Sequence, residues 1–308
     1  MGKPRRRIAC VGEAMVELSL EADGRTARIG YAGDTLNTAV YLARERPGAH
    51  DVAFVSRVGR DRFSDDMLAF IEAEGVSAAA IARDEALLPG LYAISTDADG
   101  ERSFSYWREN AAARNLFCTA GAPDFSALDG FDVVYLSAIT LAILTPAVRG
   151  ELLDWISDFR QRGGLFAFDS NYRPRLWESA DAARQTVSRA WLNCDIGLPS
   201  VDDEIALFGD RDAAAALARL EACGIGIGAL KRGAEGPVPI NGAADTELRF
   251  AAAEKVVDTT AAGDSFNGAF LAEYLAGASL SEAMLAGHNR AARVIGVRGA
   301  IVPADSLA

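Results

Sequence analysis

Short apolar runs alternate with stretches whose apolar residues recur three or four positions apart, and this rhythm runs through most of the 308 residues. The runs at residues 8–11, 52–55, 133–137, 165–169, 195–198 and 225–230 read as strands, and the stretches between them as crossover helices. One helix can be checked by spacing: Val148, Leu152, Trp155, Ile156 and Phe159 form a single apolar stripe that should pack on a sheet. The expected class is therefore α/β, with a doubly wound, mostly parallel sheet.

Two regions break the rhythm. Residues 16–20 and 25–29 flank Glu21, Ala22, Asp23 and Gly24, while residues 91–96 and 101–108 flank Asp97, Ala98, Asp99 and Gly100. Both loops have the composition of a hairpin turn. A small separate sheet built from these hairpins, near 13–31 and 90–109, would cover the main sheet as a lid within one domain spanning 1–308. In the second hairpin, alternation puts Tyr92 and Ile94 on one face and aligns Phe104, Tyr106 and Arg108 on the partner strand. Such a row suits a substrate-facing surface; it equally suits a hydrophobic lid core or a contact between copies in a homo-oligomer.

Composition narrows the classes. Half of the residues are hydrophobic, enough for a large core, yet no apolar run approaches the roughly 20 residues of a membrane span. Lys3, Arg5, Arg6 and Arg7 precede an apolar segment, but Glu13 and Glu17 interrupt it, so it lacks a signal peptide's apolar region. Cytoplasmic residence is the expectation. Cys10, Cys118, Cys194 and Cys223 are widely spread and read as reduced thiols rather than a zinc or disulfide framework. A net charge of −12 disfavours nucleic acid and anionic membranes as partners. An anionic substrate would need a locally basic pocket.

The richest candidate chemistry lies in Asp258, Thr259, Thr260, Ala261, Ala262, Gly263 and Asp264, a turn of small residues opening a helical pattern. Small side chains leave the N–H groups of Ala262, Gly263 and Asp264 bare at a helix N-terminus, where an anion such as a transferring phosphate is favoured. Asp264 can then hold an attacking hydroxyl, and its place at the helix start should lower its pKa. Gly-rich strand-to-helix turns also exist for the turn alone.

Further polar clusters follow the strands, where a doubly wound sheet binds its ligands. Lys231, Gly233 and Gly236 can offer a cation and backbone donors to a polyphosphate, or form a plain turn. Asp202, Asp203 and Glu204 can hold Mg²⁺ through water, or simply complement a first helical turn. Arg108 and Arg173 carry planar forks suited to a carboxylate, with surface ion pairs as their ordinary alternative. Near the N-terminus, Gly33 permits close approach at the start of the helical pattern 35–44. Asp34 and Asn37, one turn apart, can reach sugar hydroxyls or serve as caps. His50 reads as a loop residue and His288 as a wall for an adenine.

The segments Gly33-Asp34-Thr35-Leu36-Asn37, Ser56-Arg57-Val58-Gly59-Arg60-Asp61 and Asp258 to Phe266 resemble those of the ribokinase-like carbohydrate kinases, nearly end to end. Gly90-Leu91-Tyr92, Gly100 to Arg108, Asn171 to Trp177 and Pro199 to Glu204 are most similar to the sugar-acid branch, the bacterial 2-keto-3-deoxygluconate kinases. The resemblance implies a three-layer fold and ATP-dependent phosphorylation of the sugar acid's 6-hydroxyl, with Asp264 as catalytic base beside Ala261, Ala262 and Gly263. It assigns Gly33, Asp34, Asn37, Tyr92, Tyr106, Arg108 and Arg173 to the sugar acid. Asn171, Lys231, Gly233, Gly236, Asn289 and the turn 261–263 fall to nucleotide, and Glu204 to Mg²⁺ through water. Dependence on a monovalent cation stays open, as do a neutral-sugar or nucleoside kinase of the same family and a silent binding sensor. A dehydrogenase is disfavoured because residues 8–13 lack the G-x-G-x-x-G fingerprint. Two departures stand out: Ala261 occupies a position usually held by glycine, and the family's Asn-x-x-Glu motif is replaced by Ser200-Val201-Asp202-Asp203-Glu204.

Overall fold

The computed structural model describes residues 5–21, 23–96, 102–119, 122–242 and 248–307. The loop residues Asp97 to Gly100, with Glu101, Ala22 and Lys3, lie outside the described residues.

Eight strands form the main sheet, in the order Val238–Ile240, Ile227–Leu230, Ile196–Gly197, Leu165–Asp169, Val133–Ser137, Arg7–Val11, Asp51–Val58, Ile81–Arg83. All neighbours are parallel except the first pair. The mostly apolar segments sit at the centre: every residue of Val133–Ser137 is buried, as a strand covered on both faces requires. The run at 195–198 shrinks to the pair Ile196–Gly197, yet Asp195 and Leu198 still donate to the Phe166 and Phe168 carbonyls at 2.9 Å. Ile81–Arg83 and Val238–Ile240 are strands that the sequence pattern did not reveal, because three residues are too few to display a period.

Helices cover both faces. Asp34–Glu45, Arg62–Ala73, Ala262–Ala276 and Leu280–Val294 pack on one side, where Leu36, Met67, Phe270 and Met284 share a core with Ile8 and Phe54. On the other side Pro146–Gln161, Ala180–Leu192 and Ala213–Ala222 bury Leu152, Ile156, Trp191 and Leu220 against Phe166 and Phe168. The result is a three-layer α/β fold. The stripe expected from spacing is real: Val148, Leu152, Ile156 and Phe159 are buried, with Trp155 half-buried.

The hairpins form a second sheet of four strands, ordered Ala27–Ala32, Met15–Leu20, Gly90–Thr96, Arg102–Trp107. Within it Tyr92 faces Tyr106 and Ile94 faces Phe104, so the aromatic row shares one surface. In the main sheet the chain first builds outward from Arg7–Val11 to Asp51–Val58, then returns to Val133–Ser137 on the other side. The strand order therefore reverses between Arg7–Val11 and Val133–Ser137, where the carboxyl ends leave a crevice.

Candidate active site

A cleft of about 1690 Å³ opens there, bounded by the carboxyl ends of the main strands, the turn before Ala262–Ala276 and the aromatic face of the small sheet. It exceeds the roughly 300–1,000 Å³ of a pocket for one small ligand, which suits two substrates side by side.

At its floor the helix Ala262–Ala276 begins without a side-chain cap, from an Ala261 held in the left-handed region at φ 59°. A Cβ at such an angle costs on the order of 1 kcal/mol, so the turn does require the shape that glycine adopts freely. Of the three amides expected to be bare, the Ala262 N–H donates to the Thr259 carbonyl at 3.2 Å. Gly263 and Asp264 keep N–H groups without an acceptor among the described residues. The Lys231 ammonium lies 3.4 Å from the point a Cβ on Gly263 would occupy, adding positive charge beside these donors. Two free amides and a cation at a helix start form an anion site.

Asp264 borders that site. Its Oδ2 accepts from Asn37 Nδ2 at 2.8 Å, and Asn37 Oδ1 accepts from the Gly33 N–H at 3.3 Å. Gly33 is required for close approach rather than for its dihedral angles: a Cβ there would lie 2.0 Å from the Glu13 carbonyl. The expectation of a lowered pKa at Asp264 is overturned. Burial, then the neighbouring Asp34 and Asp169 carboxylates, push it up to about 7 against the Asn37 hydrogen bond and the Lys231 charge. The residue still opens on the cleft, so the effect comes from the protein packed behind the carboxyl.

Asp34 accepts from Ser137 Oγ and, at 2.9 Å, from Asn171 Nδ2. Asn171 thus links Asp34, at the start of helix Asp34–Glu45, to Asp169, whose Oδ1 accepts from the Asn171 N–H at 3.2 Å and whose Oδ2 accepts from Lys231, and it lines the same cleft as the turn that follows Lys231. In the cleft lining, Lys231 Nζ donates to Asp169 Oδ2 at 2.8 Å and, behind it, to the buried Asn267 Oδ1 at 2.9 Å. Asn267 in turn donates to Tyr135 Oη at 3.0 Å. Sequence reasoning passed over Ser137 and Tyr135, whose only signal is a polar atom at or near the carboxyl end of an apolar strand.

The small sheet contributes Tyr92, Tyr106 and Arg108 to the cleft. Tyr92 and Tyr106 stack at 5.7 Å, and Tyr92 Oη donates to Glu17. Arg108 pairs with the buried Glu13, and burial pushes the Glu13 carboxyl up although Arg108 acts to lower it. Glu13 and Glu17 read in the sequence only as interruptions of an apolar segment. Arg173 lines the same cleft from the main sheet, 3.2 Å from Asp203. Gly233 and His288 also line it.

Three assignments fail on geometry. Glu204 is fully buried and pairs with Arg219 at 2.7 Å, with its helix Val201–Phe208 turning it away from the cleft. Asn289 is exposed in a separate depression beside Glu45 and Arg290, because only its neighbour His288 turns inward on helix Leu280–Val294. Gly236 is absent from the lining; a Cβ there would strike the Phe250 ring at 2.4 Å, so its role is packing a tight turn at φ 78°. No cluster of three His, Cys, Asp or Glu side chains able to cage a metal exists among the described residues. Unlike Glu204, Asp202 and Asp203 do line the cleft, and one or two carboxylates with water and substrate phosphates are what Mg²⁺ commonly takes.

The profile of the pfkB family carbohydrate kinases matches residues 5–307. A 2-dehydro-3-deoxygluconokinase of Dickeya dadantii is 44% identical over 307 residues, 98% of each chain. That of Escherichia coli K12 is 42% identical over 98% of this chain and 99% of its own. In fold, the chain matches aminoimidazole riboside kinase from Salmonella enterica, solved with aminoimidazole riboside and an ATP analogue, at a TM-score of 0.79, 24% identity and 98% coverage of each chain. With the anion site, the acidic residue beside it and a family match over almost the whole length, this chain belongs to the pfkB family of carbohydrate kinases.

Proposed function

We propose that the chain transfers the γ-phosphoryl group of ATP to the 6-hydroxyl of 2-dehydro-3-deoxygluconate, releasing ADP. The observation that carries this choice of substrate is the full-length similarity to 2-dehydro-3-deoxygluconokinases, 44% identical in the Dickeya relative. Two features of the cleft support it: Arg108 and Arg173 both line it, with guanidinium forks suited to a substrate carboxylate, and Asp264 borders free amides.

In this reading Asp34, Asn37, Tyr92 and Tyr106 bind the sugar chain while Arg108 and Arg173 take its carboxylate. Nucleotide lies along Lys231, Gly233, the turn 261–263 and His288. It enters as MgATP, with the metal carried by phosphates and water as a hard divalent ion commonly is. Asp264 orients the 6-hydroxyl and accepts its proton as the new O–P bond forms and the bond to the bridging β,γ-oxygen breaks. The Gly263 and Asp264 amides and the Lys231 ammonium stabilise charge on the moving phosphoryl group. The small sheet acts as a lid that keeps water from competing as acceptor, the whole working as one unit over 1–308. Four free cysteines and the need for ATP suit the cytoplasm.

The test is a coupled ADP-release assay with a panel of sugar acids and neutral sugars. Turnover confined to 2-keto-3-deoxy sugar acids supports the reading, and loss of that preference in Arg108→Ala supports carboxylate recognition. Equal turnover of fructose or a nucleoside by the native enzyme would overturn it.

A further inference from the structure

We propose that Arg102 is a positioning residue for phosphoryl transfer, tying the small sheet to the turn that exposes the Gly263 and Asp264 amides. The inference rests on the kinase reading above and adds a residue outside the cleft lining to it.

Arg102 opens the strand Arg102–Trp107 and reaches across to the other sheet's catalytic turn. Its Nη1 pairs with Asp258 Oδ1 and donates to Thr260 Oγ1 at 3.0 Å. Asp258 is itself a knot: Oδ1 accepts from the Thr260 N–H at 3.0 Å and Oδ2 from the Gly299 N–H at 2.8 Å. The pair is shielded, with side-chain exposures of 19% for Arg102 and 3% for Asp258, so salt screens it weakly.

The turn needs an external tie. Ala261 holds a left-handed conformation that its side chain disfavours, and its helix has no capping side chain. Such a conformation persists where surrounding contacts over-determine it. Asp258 and Thr260 are the residues just before it that make those contacts, and Arg102 grips both. Removing the guanidinium leaves the buried Asp258 carboxylate with the Thr260 and Gly299 amides but no counter-charge beside the anion site.

The same strand also serves the far end of the cleft. Alternation puts Arg102, Phe104, Tyr106 and Arg108 on one side, and Arg108 ends at Glu13 while Phe104 and Tyr106 line the cleft. A shift of the small sheet over its substrate is therefore passed to the phosphate turn by a single strand. The cost of misplacing that turn falls on turnover, since its amides act on charge that develops during transfer.

The experiment measures kcat and KM for both substrates, with melting temperatures, for Arg102→Met, Arg102→Gln, Arg102→Lys, Asp258→Asn and the double variant Arg102→Met with Asp258→Asn. Arg102→Met is expected to lower kcat about 10- to 100-fold, as misplacement of a catalytic group by about an ångström does, with the sugar-acid KM changed less than about threefold. The double variant should be no slower than Asp258→Asn, because both remove one tie. Should Arg102→Met not fold, Arg102→Gln carries the test. It keeps a long polar side chain without the charge, so a several-fold loss of kcat at native melting temperature, restored in part by Arg102→Lys, supports the proposal and a native kcat in Arg102→Gln overturns it. Fully additive losses, or an Arg102→Met enzyme with native kcat, also overturn it. If the native enzyme releases no ADP with any sugar acid, the kinase reading fails and this role with it. If the native enzyme turns over and Arg102→Met equals it, this role alone fails.

Discussion

In the proposed mechanism Asp264 sets when the site is active. Its carboxyl, pushed up to about 7 by burial and the facing Asp34 charge, ionises across neutral pH. The value of kcat/KM for the sugar acid should therefore rise about tenfold from pH 6 to pH 8 and then level off, read from initial rates across that range. Asp264→Asn should cut turnover by about 10²- to 10⁴-fold, the share a positioned base supplies. The same shift has a consequence for stability. The native carboxyl binds its proton more tightly than the unfolded chain does, so ionisation destabilises the fold as pH climbs through 7, while below the unfolded pKa both states are protonated. Asp264→Asn should melt above the native enzyme at pH 8, with the gap closing as pH falls toward 4. A constant gap would contradict the raised pKa. Three residues earlier, Ala261→Gly removes the left-handed strain of about 1 kcal/mol and should raise the melting temperature by about 2 °C, whereas Ala261→Val should lower it.

Elements bring these residues into register, and one glycine shows where that depends on close approach. Helices Asp34–Glu45 and Ala262–Ala276 carry Asn37 and Asp264 and cross at Gly268, where a Cβ would lie 2.7 Å from the Thr38 carbonyl and 2.8 Å from the Leu42 N. Backbone cannot yield as a side-chain tip can. Gly268→Ala should push the helices apart and lengthen the Asn37–Asp264 contact, lowering kcat about tenfold or more with a lower melting temperature. A native kcat would mean the helices tolerate the shift. In the chain's sequence Gly268 is only a weak helix former in a mostly apolar helix, and nothing local reveals its partner. The main strands were readable because runs such as Val133–Ser137 carry no charge and are mostly apolar. Glu204 was not, since an acid in a first helical turn looks the same whether it faces a cleft or Arg219. Glu204→Ala removes a fully buried carboxyl, leaves Arg219 to Asp210 and should cost about 2 kcal/mol of stability in denaturant titration, while the Mg²⁺ concentration for half-maximal turnover stays unchanged. A shifted Mg²⁺ requirement would return Glu204 to the metal.

Over the whole molecule, a chain of net charge −12 gathers Arg108, Arg114, Arg173, Arg175, Lys231 and Arg232 around one cleft, together with Asp34, Glu109, Asp169, Asp202, Asp203 and Asp264. The locally basic pocket that the sequence called for is therefore a lining of matched charge. The sequence could not display the pairs across distant segments, Arg108 with Glu13 and Arg102 with Asp258, because nothing in spacing links residues from separate sheets. Those pairs matter because the small sheet has little core of its own: Met15, Ala32, Tyr92, Ile94 and Ala300 form its buried cluster, while Trp107 is 61% exposed. Few buried apolar contacts place such an element at the low end of local opening free energies. A sugar acid held at once by Arg108 on the small sheet and Arg173 on the main one would have to be released before the sheet could open. Hydrogen exchange of the amides in Gly90–Thr96 and Arg102–Trp107 should therefore slow with bound 2-dehydro-3-deoxygluconate, by about 100-fold at a concentration 100 times Kd. Amides of Val133–Ser137, in the buried sheet, should change far less. Arg108→Ala should remove most of the protection at the same ligand concentration. Slowing that is uniform across both sheets, or that survives this substitution, would mean that the acid is held by the main sheet alone.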